Sequence, residues 1–221
     1  MKDIEKINVI GGGLAGCEAA YQISKFGIKV NLFEMRPKIK TEAHQTNYLG
    51  ELVCSNSFRS DDKENNAVGV LHEELRIADS LIMKTADLNK VPAGSALAVD
   101  RDNFAKEVNN KITNNENIEI INEEIKSLDR FNNEIVIVAT GPLTSNKLTE
   151  CIKLKTEEKS LAFYDAIAPI VYKDSIDMKV AWKQSRYDKG EGDDYINCPL
   201  SKEEYYTFIE AIKDAPKMEF K

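Results

Sequence analysis

The chain opens on a short apolar run at residues 7–10 (INVI), passes through Gly-Gly-Gly-Leu-Ala-Gly, and continues with apolar positions at helical spacing. Ala15, Ala19, Ala20, Ile23 and Phe26 recur at three- and four-residue intervals, which predicts a helix. Gly27 follows where a helix C-terminus needs a left-handed residue. Residues 29–34 (KVNLFE) alternate and are β-rich, so the whole reads as strand, glycine turn, helix and strand: one βαβ unit. Residues 35–66 show little periodicity, and a loop of that length inside a compact domain usually has a function. Val70, Leu71, Leu75 and Ala78 then mark an amphipathic helix over 66–79, and residues 95–99 (SALAV) a strand. Asp102 is the expected N-cap of a helix carrying Phe104, Val108 and Ile112 on one face. Residues 118–121 and 134–138 read as buried strands, and the second runs into Ala139-Thr140-Gly141-Pro142.

Beyond residue 145 the pattern changes. A helix is expected over 145–154, a strand pair or bend around Pro169 within 163–172, and an aromatic, charged stretch over 182–199. Ser201 and Glu204 form a capping box that opens a helix through Tyr205, Phe208, Ile209 and Ile212. The fold class expected is α/β: a Rossmann-like domain over 1–145, followed over 146–221 by the beginning of an inserted α+β domain.

Composition narrows the class. With 221 residues, 42% hydrophobic and 30% charged, the chain is long enough for a substantial core. Mean hydropathy is −0.41. No apolar run approaches the ~20 residues of a membrane span, and acids near the N-terminus are unlike a signal peptide, so a cytoplasmic protein without membrane contact is expected. The net charge of −7 argues against a surface that grips nucleic acid everywhere. Residues 1–60 nevertheless hold eight bases against six acids, which leaves room for a local basic site. The cysteines at 17, 54, 151 and 198 form no CxxC, and only His44 and His72 could assist them, so neither a zinc site nor a disulfide framework is expected.

The glycine turn carries the clearest chemistry. Gly11, Gly13 and Gly16 satisfy G-x-G-x-x-G, with Gly12, Leu14 and Ala15 between them. The first glycine permits the tight turn, the second admits a pyrophosphate to the backbone, and the third lets helix and strand pack closely. The diphosphate would sit on the free N–H groups and positive end of the helix. Glu34 ends the next strand, where a carboxylate can accept hydrogen bonds from a ribose diol, favouring FAD or NAD over NADP. The strand ending in Ala-Thr-Gly, with Thr140 and Gly141 beside the cofactor, tilts the choice towards FAD. In the aperiodic loop, Cys54 stands among Ser55, Asn56 and Ser57 with Arg59 close behind. Two readings stand side by side: a thiol activated by a nearby guanidinium, or a buried structural cysteine.

The segments ELVCSNSFRS, INVIGGGLAGCEAAYQ, FEMRP, NAVGVLHEELR, VPAGSALAVDR, VATGPLTS, FYDAIAPIV, SRYDKG and YINCPL together resemble the bacterial folate- and FAD-dependent tRNA (uracil-54, C5) methyltransferases, in family order along essentially the whole chain. The generic flavoprotein signature explains none of ELVCSNS, VPAGSALAVDR or YINCP. The resemblance implies that a uracil made nucleophilic at C5 by thiolate addition at C6 takes a carbon from 5,10-methylenetetrahydrofolate. FAD relays the carbon and the hydride, and NAD(P)H reduces the flavin. It implies FAD on Gly11–Gly16 and Glu34, and makes Cys54 one of two chemically important cysteines, as a thiol acid/base or a transient nucleophile. Cys198 is expected to be structural, and Cys17 and Cys151 to be packing or surface residues. The partners implied are tRNA and folate. Members of that family run to roughly twice this length, with the other catalytic cysteine beyond Lys221. The 221 residues are therefore expected to lack the activity alone, acting with a separately encoded C-terminal half. The competing expectations are a catalytically inactive FAD- or nucleotide-binding fragment, a paralogue acting on another RNA uridine, and a generic FAD oxidoreductase, which leaves the Cys54 segment unexplained.

Overall fold

A computed structural model describes residues 4–41, 43–157, 171–185 and 193–216. The bend expected around Pro169 and the segment SRYDKG lie outside them, apart from Val171, Tyr172 and Ser185. The chain divides into two compact units: Met1–Val91 with Ala96–Ala168, and Pro92–Ser95 with Pro169–Lys221.

In the first unit, strands β1 (Lys6–Ile10) and β2 (Lys29–Glu34) flank helix α1 (Leu14–Ser24), as the βαβ pattern requires. With β6 (Ile118–Asn122) and β7 (Val136–Val138) they make a parallel sheet in the order β6-β2-β1-β7. Numbered by their succession in the sheet, these strands run 3-2-1-4, the Rossmann arrangement, and the order reverses at β1. The fold is thus a Rossmann-like α/β domain.

Alternation along β1 and β2 divides the core between the two faces of the sheet. Ile7, Val9, Val30 and Leu32 pack on one side with Phe104, Val108 and Ile112 of α4 (Arg101–Thr113) and with Leu81 and Met83 of α3 (Leu81–Leu88). Ile10 and Phe33 pack on the other with Ile125, Phe131 and Leu148, the last from α5 (Asn146–Thr156). Asn8 is buried but satisfied: it donates to Glu134 at 2.7 Å and accepts from Asn31 at 3.0 Å. Burial of that kind stabilises only when the polar group is paired.

Several expectations shift. The aperiodic loop contains β3 (Ser57–Ser60), which joins β5 (Ala96–Val99) and β4 (Lys90–Val91) in a small antiparallel sheet in the order β3-β5-β4. The N-cap of α4 is Asp100, accepting from Asn103 N, and Asp102 falls inside the first turn. Helix α2 (Ala67–Ile77) forms, but Val70 and Leu71 face outward. It is held instead by buried His72, whose Nδ1 lies 3.0 Å from Asp61, and by Gly69, where a Cβ would come within 2.3 Å of Asp62 backbone. Strand β7 is an edge of the sheet among the described residues, with Val138 exposed rather than buried. The second unit contains the hairpin β8 (Trp182–Lys183) and β9 (Ile196–Asn197), and helix α6 (Lys202–Asp214). Both reciprocal bonds of the capping box, Ser201 to Glu204 N and Glu204 to Ser201 N, are present. No described helix is long and apolar enough to cross a membrane.

Candidate functional site

A cavity of about 360 Å³ opens at the C-terminal ends of β1, β2 and β7, where the strand order reverses. Open α/β sheets bind ligands at this place because the loops there diverge to opposite faces. Gly11, Gly12, Gly13, Leu14, Ala15, Glu34, Cys54, Thr140 and Gly141 all line it. These are the sequence-predicted site residues with one exception. Gly16 lies beneath the cavity, where a Cβ would come within 1.7 Å of the Gly11 carbonyl oxygen. Its role is the close approach of α1 to β1.

The glycines divide the work. Gly11 has φ +105°, open to glycine and strained for other residues, and a Cβ there would meet Ala139 O at 2.6 Å. Gly12 is drawn inward: its N–H donates to Glu34 at 2.9 Å, and its carbonyl accepts from Gly50 N at 2.8 Å and from the Cys17 thiol at 3.3 Å. Gly13 is the N-cap of α1, and beyond its own chain neighbours no protein atom lies within 4 Å of where its Cβ would be. No side chain caps α1, so its first N–H groups face the cavity as donors.

Glu34 differs from a simple ribose acceptor. The residue is 7% exposed, and its carboxylate accepts four bonds from the protein. Oε1 accepts from Arg36 N at 3.0 Å and Arg36 Nε at 2.9 Å, and Oε2 from Gly12 N at 2.9 Å and Arg36 Nη2 at 3.2 Å. Four is about the capacity of a carboxylate. Arg36, only 1% exposed, also donates through Nη1 to Tyr48 O at 2.9 Å and Glu51 at 3.1 Å. Glu51 in turn accepts from Gln45 N, Thr46 N and Thr46 Oγ1. The result is a buried Glu34–Arg36–Glu51 chain joining the end of β2 to the loop that carries Cys54. Burial pushes the Glu34 carboxyl up, but its bonds and charge contact with Arg36 outweigh this and hold it below its ordinary value. Burial and the Arg36 charge push His44, also on the cavity wall, down.

Sequence reading missed Arg36, Glu51 and the Glu123–Ile125 stretch that also lines the cavity. The Arg36 signal was present in FEMRP, since an arginine two residues after a strand-ending glutamate can fold back onto it. Glu51 offered none, its partners lying fifteen residues upstream or in the same loop.

Cys54 is exposed on the cavity wall rather than buried. Arg59 does not line the cavity; it is exposed on β3 with φ +72°. The guanidinium on the cavity wall is that of Arg36, committed to Glu34 and Glu51. Cys17 is buried, and burial followed by the Glu34 charge pushes its thiol up to about 12. Cys151 is half-buried and Cys198 exposed. Native-state alkylation read by mass spectrometry should therefore modify Cys54 and Cys198 and spare Cys17 until the chain unfolds. Modification of Cys17 at the Cys54 rate would contradict this packing.

The family description "glucose inhibited division protein A" matches residues 6–221. The chain belongs to the glucose inhibited division protein A family. Within that family it is 59% identical over 219 residues to the methylenetetrahydrofolate–tRNA-(uracil-5-)-methyltransferase TrmFO of Bartonella henselae, covering 97% of this chain and 47% of the relative. It is 57% identical over 217 residues to the protein of that name from Zymomonas mobilis, covering 98% and 48%. With that of Rhodopseudomonas palustris strain HaA2 it is 55% identical over 221 residues, covering 98% and 46%. This member of the glucose inhibited division protein A family spans about half the length of the curated relatives it matches. The resemblance drawn from ELVCSNS, VPAGSALAVDR and YINCP thus agrees with what its relatives are called.

Proposed function

We propose that this chain is the dinucleotide-binding part of a folate- and FAD-dependent methyltransferase acting on uridine C5 in tRNA, with Cys54 as a reacting thiol. The observation that carries the reading is convergence: the glycine turn, the uncapped α1 N-terminus, Glu34, Thr140-Gly141 and Cys54 meet at one cavity at the switch point of the sheet. The residues fit a dinucleotide on a structural criterion: Gly13 keeps open the space a side chain would fill, beside N–H donors that suit a diphosphate. In this reading the turn from Gly11 to Ala15 receives the diphosphate while Gly16 packs α1 on β1, Glu34 and Arg36 face the adenosine ribose, and Thr140 and Gly141 let backbone pass beside the cofactor. The bound flavin supplies redox chemistry to a one-carbon unit delivered by methylenetetrahydrofolate, with NAD(P)H as reductant.

Cys54 contributes a mobile proton or a nucleophilic sulfur at the cavity wall. A thiolate adding to uracil C6 makes C5 nucleophilic, and elimination of the same thiolate restores the ring once the C5 proton has left. The setting proposed is the cytoplasm, with tRNA and folate as substrates.

The test is reconstitution. The chain is mixed with the C-terminal half of the Bartonella henselae relative, FAD, NAD(P)H, labelled methylenetetrahydrofolate and uridine-containing tRNA. Label should enter 5-methyluridine, and Cys54→Ala should lose that incorporation by about 10³-fold or more, as expected for an essential nucleophile or acid/base. An assembled, flavin-loaded mixture that transfers no label would overturn the activity, and full activity in Cys54→Ala would remove the thiol from the chemistry.

A further inference from the structure

The loop that presents Cys54 is tied down on either side of the thiol but not at it. Upstream, Leu49 and Leu52 are buried in the core, Leu49 N donates to Asn109 Oδ1 of α4 at 3.2 Å, and Gly50 N donates to Gly12 O at 2.8 Å. Downstream, Asn56 pairs with Val99 of β5. Its Nδ2 donates to Val99 O at 3.1 Å, and its carbonyl accepts from Val99 N at 2.9 Å. Between these anchors Val53 and Cys54 make no hydrogen bond among the described residues. The loop also borders open space in two places. Residues 51–54 line the nucleotide cavity, while Glu51 and Asn56 line a second cavity of about 490 Å³.

Arg101 lines that second cavity and reaches the loop, where its Nη2 donates to the carbonyl oxygen of Leu52, two residues before Cys54. This is its one hydrogen bond among the described residues. It forms no ion pair there, although Asp100 and Asp102 line the same cavity. Its charge is thus committed to a single backbone carbonyl, and a bond from a charged donor is roughly twice as strong as a neutral one. The platform beneath it is rigid. Arg101 is the first residue of α4, Asp100 caps that helix, and Phe104, Ala105 and Val108 root it in the core.

We infer that Arg101 is a positioning residue for the Cys54 thiol. By holding the Leu52 carbonyl it fixes the Leu52–Val53 peptide, and with it the place of the thiol on the cavity wall. The inference rests on the reading of Cys54 as a reacting thiol, and adds a residue that acts through the loop rather than on the substrate. Without Arg101 the buried Leu52 side chain still anchors the loop, so the fold survives. The peptide beyond it is free to turn, however, and the thiol spreads over more positions. Misplacing a reacting group by about 1 Å costs on the order of 10²-fold in rate.

The experiment compares the 221-residue chain with Arg101→Ala and Arg101→Lys. Three quantities are read: the thermal melt, the mobility of a nitroxide on Cys54 by electron paramagnetic resonance, and kcat and KM in the reconstituted methyl transfer. The nitroxide is placed in a Cys151→Ser, Cys198→Ser background, and the kinetics use unlabelled protein. Arg101→Ala should melt cooperatively about 2–6 °C lower, for the loss of one hydrogen bond. Its nitroxide should be more mobile, and kcat should fall about 10²-fold with KM for tRNA within about twofold. Arg101→Lys keeps a charged donor but loses the planar fork, and should restore part of both. If only the lysine variant folds, it should still show both changes in the same direction.

A lowered melt with unchanged nitroxide mobility and unchanged kcat would make Arg101 purely structural and overturn the inference. A loss of kcat without a change in mobility would put Arg101 in contact with substrate or cofactor, and a mobile nitroxide at full kcat would mean that thiol placement does not govern the rate. Either result overturns it equally. Should an assembled, flavin-loaded mixture of the wild-type chain transfer no methyl group, the proposed function fails and the inference falls with it. That outcome is distinct from full activity in both wild type and Arg101→Ala, which sinks the Arg101 inference alone.

Discussion

Gly16→Ala should be among the most damaging single-methyl changes in this chain, whereas Gly13→Ala, three residues away in the same motif, should leave the fold intact. At Gly16 the added Cβ would stand 1.7 Å from the Gly11 carbonyl oxygen, which is backbone and cannot rotate aside. Helix α1 would have to lift from β1, disturbing Cys17 and Ala20, which are wholly buried against the sheet. Overpacking of this kind costs about 3 kcal/mol or more, or roughly 6–12 °C in Tm for a chain of this size. At Gly13, φ is −77° and no atom beyond its own chain neighbours lies within 4 Å of the new Cβ. That methyl enters only the space assigned to the diphosphate. Its expected effect is an unchanged melt with FAD affinity lowered about tenfold or more. Circular dichroism melts and ligand titrations of both variants separate the two roles. Equal destabilisation by both, or none by either, would mean that the glycines are not divided in this way.

Arg36→Met should also be severe, with a pH dependence opposite to that of the wild type. Arg36 is 1% exposed and neutralises Glu34 and Glu51, whose side chains are 8% and 6% exposed. Removing it leaves two carboxylates buried without their cation, and breaking such a pair costs about 3–5 kcal/mol near neutral pH. In the wild type the folded-state pKa of Glu34 lies below its ordinary value. The stability it contributes is therefore complete above the unfolded pKa and is lost as pH falls through the folded one. In the variant the guanidinium is gone, burial is opposed only by the backbone N–H groups of Gly12 and residue 36, and the folded pKa of the same carboxyl should rise. Its penalty then grows as pH rises above the unfolded value near ~4.3 and is relieved by protonation. Melts at about pH 5 and about pH 7.5 should show the gap between variant and wild type widening at the higher pH. A gap that stays constant, or narrows with rising pH, would mean that the network is not held together by charge.

Much of the architecture was legible because local pattern and tertiary role coincide in the βαβ unit. The apolar run of β1, the small-residue face of α1 and Glu34 at the end of β2 each occupy the place their spacing implied. The capping box at Ser201 was readable for the same reason, since both partners lie within one turn. Legibility failed where pairing is non-local. Strand β3 exists because Ser57 and Ser60 pair with Ala98 and Ala96, and nothing in SFRS signals it. Helix α3 was missed although Ser80 caps it, because its eight residues include five buried positions and show no polar stripe to set a period. The exposed Val70 and Leu71 of α2 show the reverse case, an apolar stripe that the fold does not bury.

At the site, the glycine motif announced its own location, but the state of Glu34 could not be read. A strand-ending acid predicts a ribose partner, yet here Arg36 and Gly12 already occupy its lone pairs. A ribose hydroxyl bonding to Glu34 must therefore displace a protein donor, and the longest of the four bonds, Arg36 Nη2 at 3.2 Å, is the one most readily given up. Arg36 would keep Glu51 as counter-ion in that exchange.

The central claim is that the cavity at the switch point of the sheet holds FAD through the α1 N-terminus. The measurement that tests it most directly is a fluorescence titration of the purified 221-residue chain with FAD, run beside Gly13→Ala. The account predicts saturable one-to-one binding by the wild type, competed by ADP and weakened about tenfold or more in the variant, with identical melts for both ligand-free proteins. A wild-type chain that melts cooperatively and takes up no FAD, or one that binds FAD no more tightly than Gly13→Ala, would contradict it.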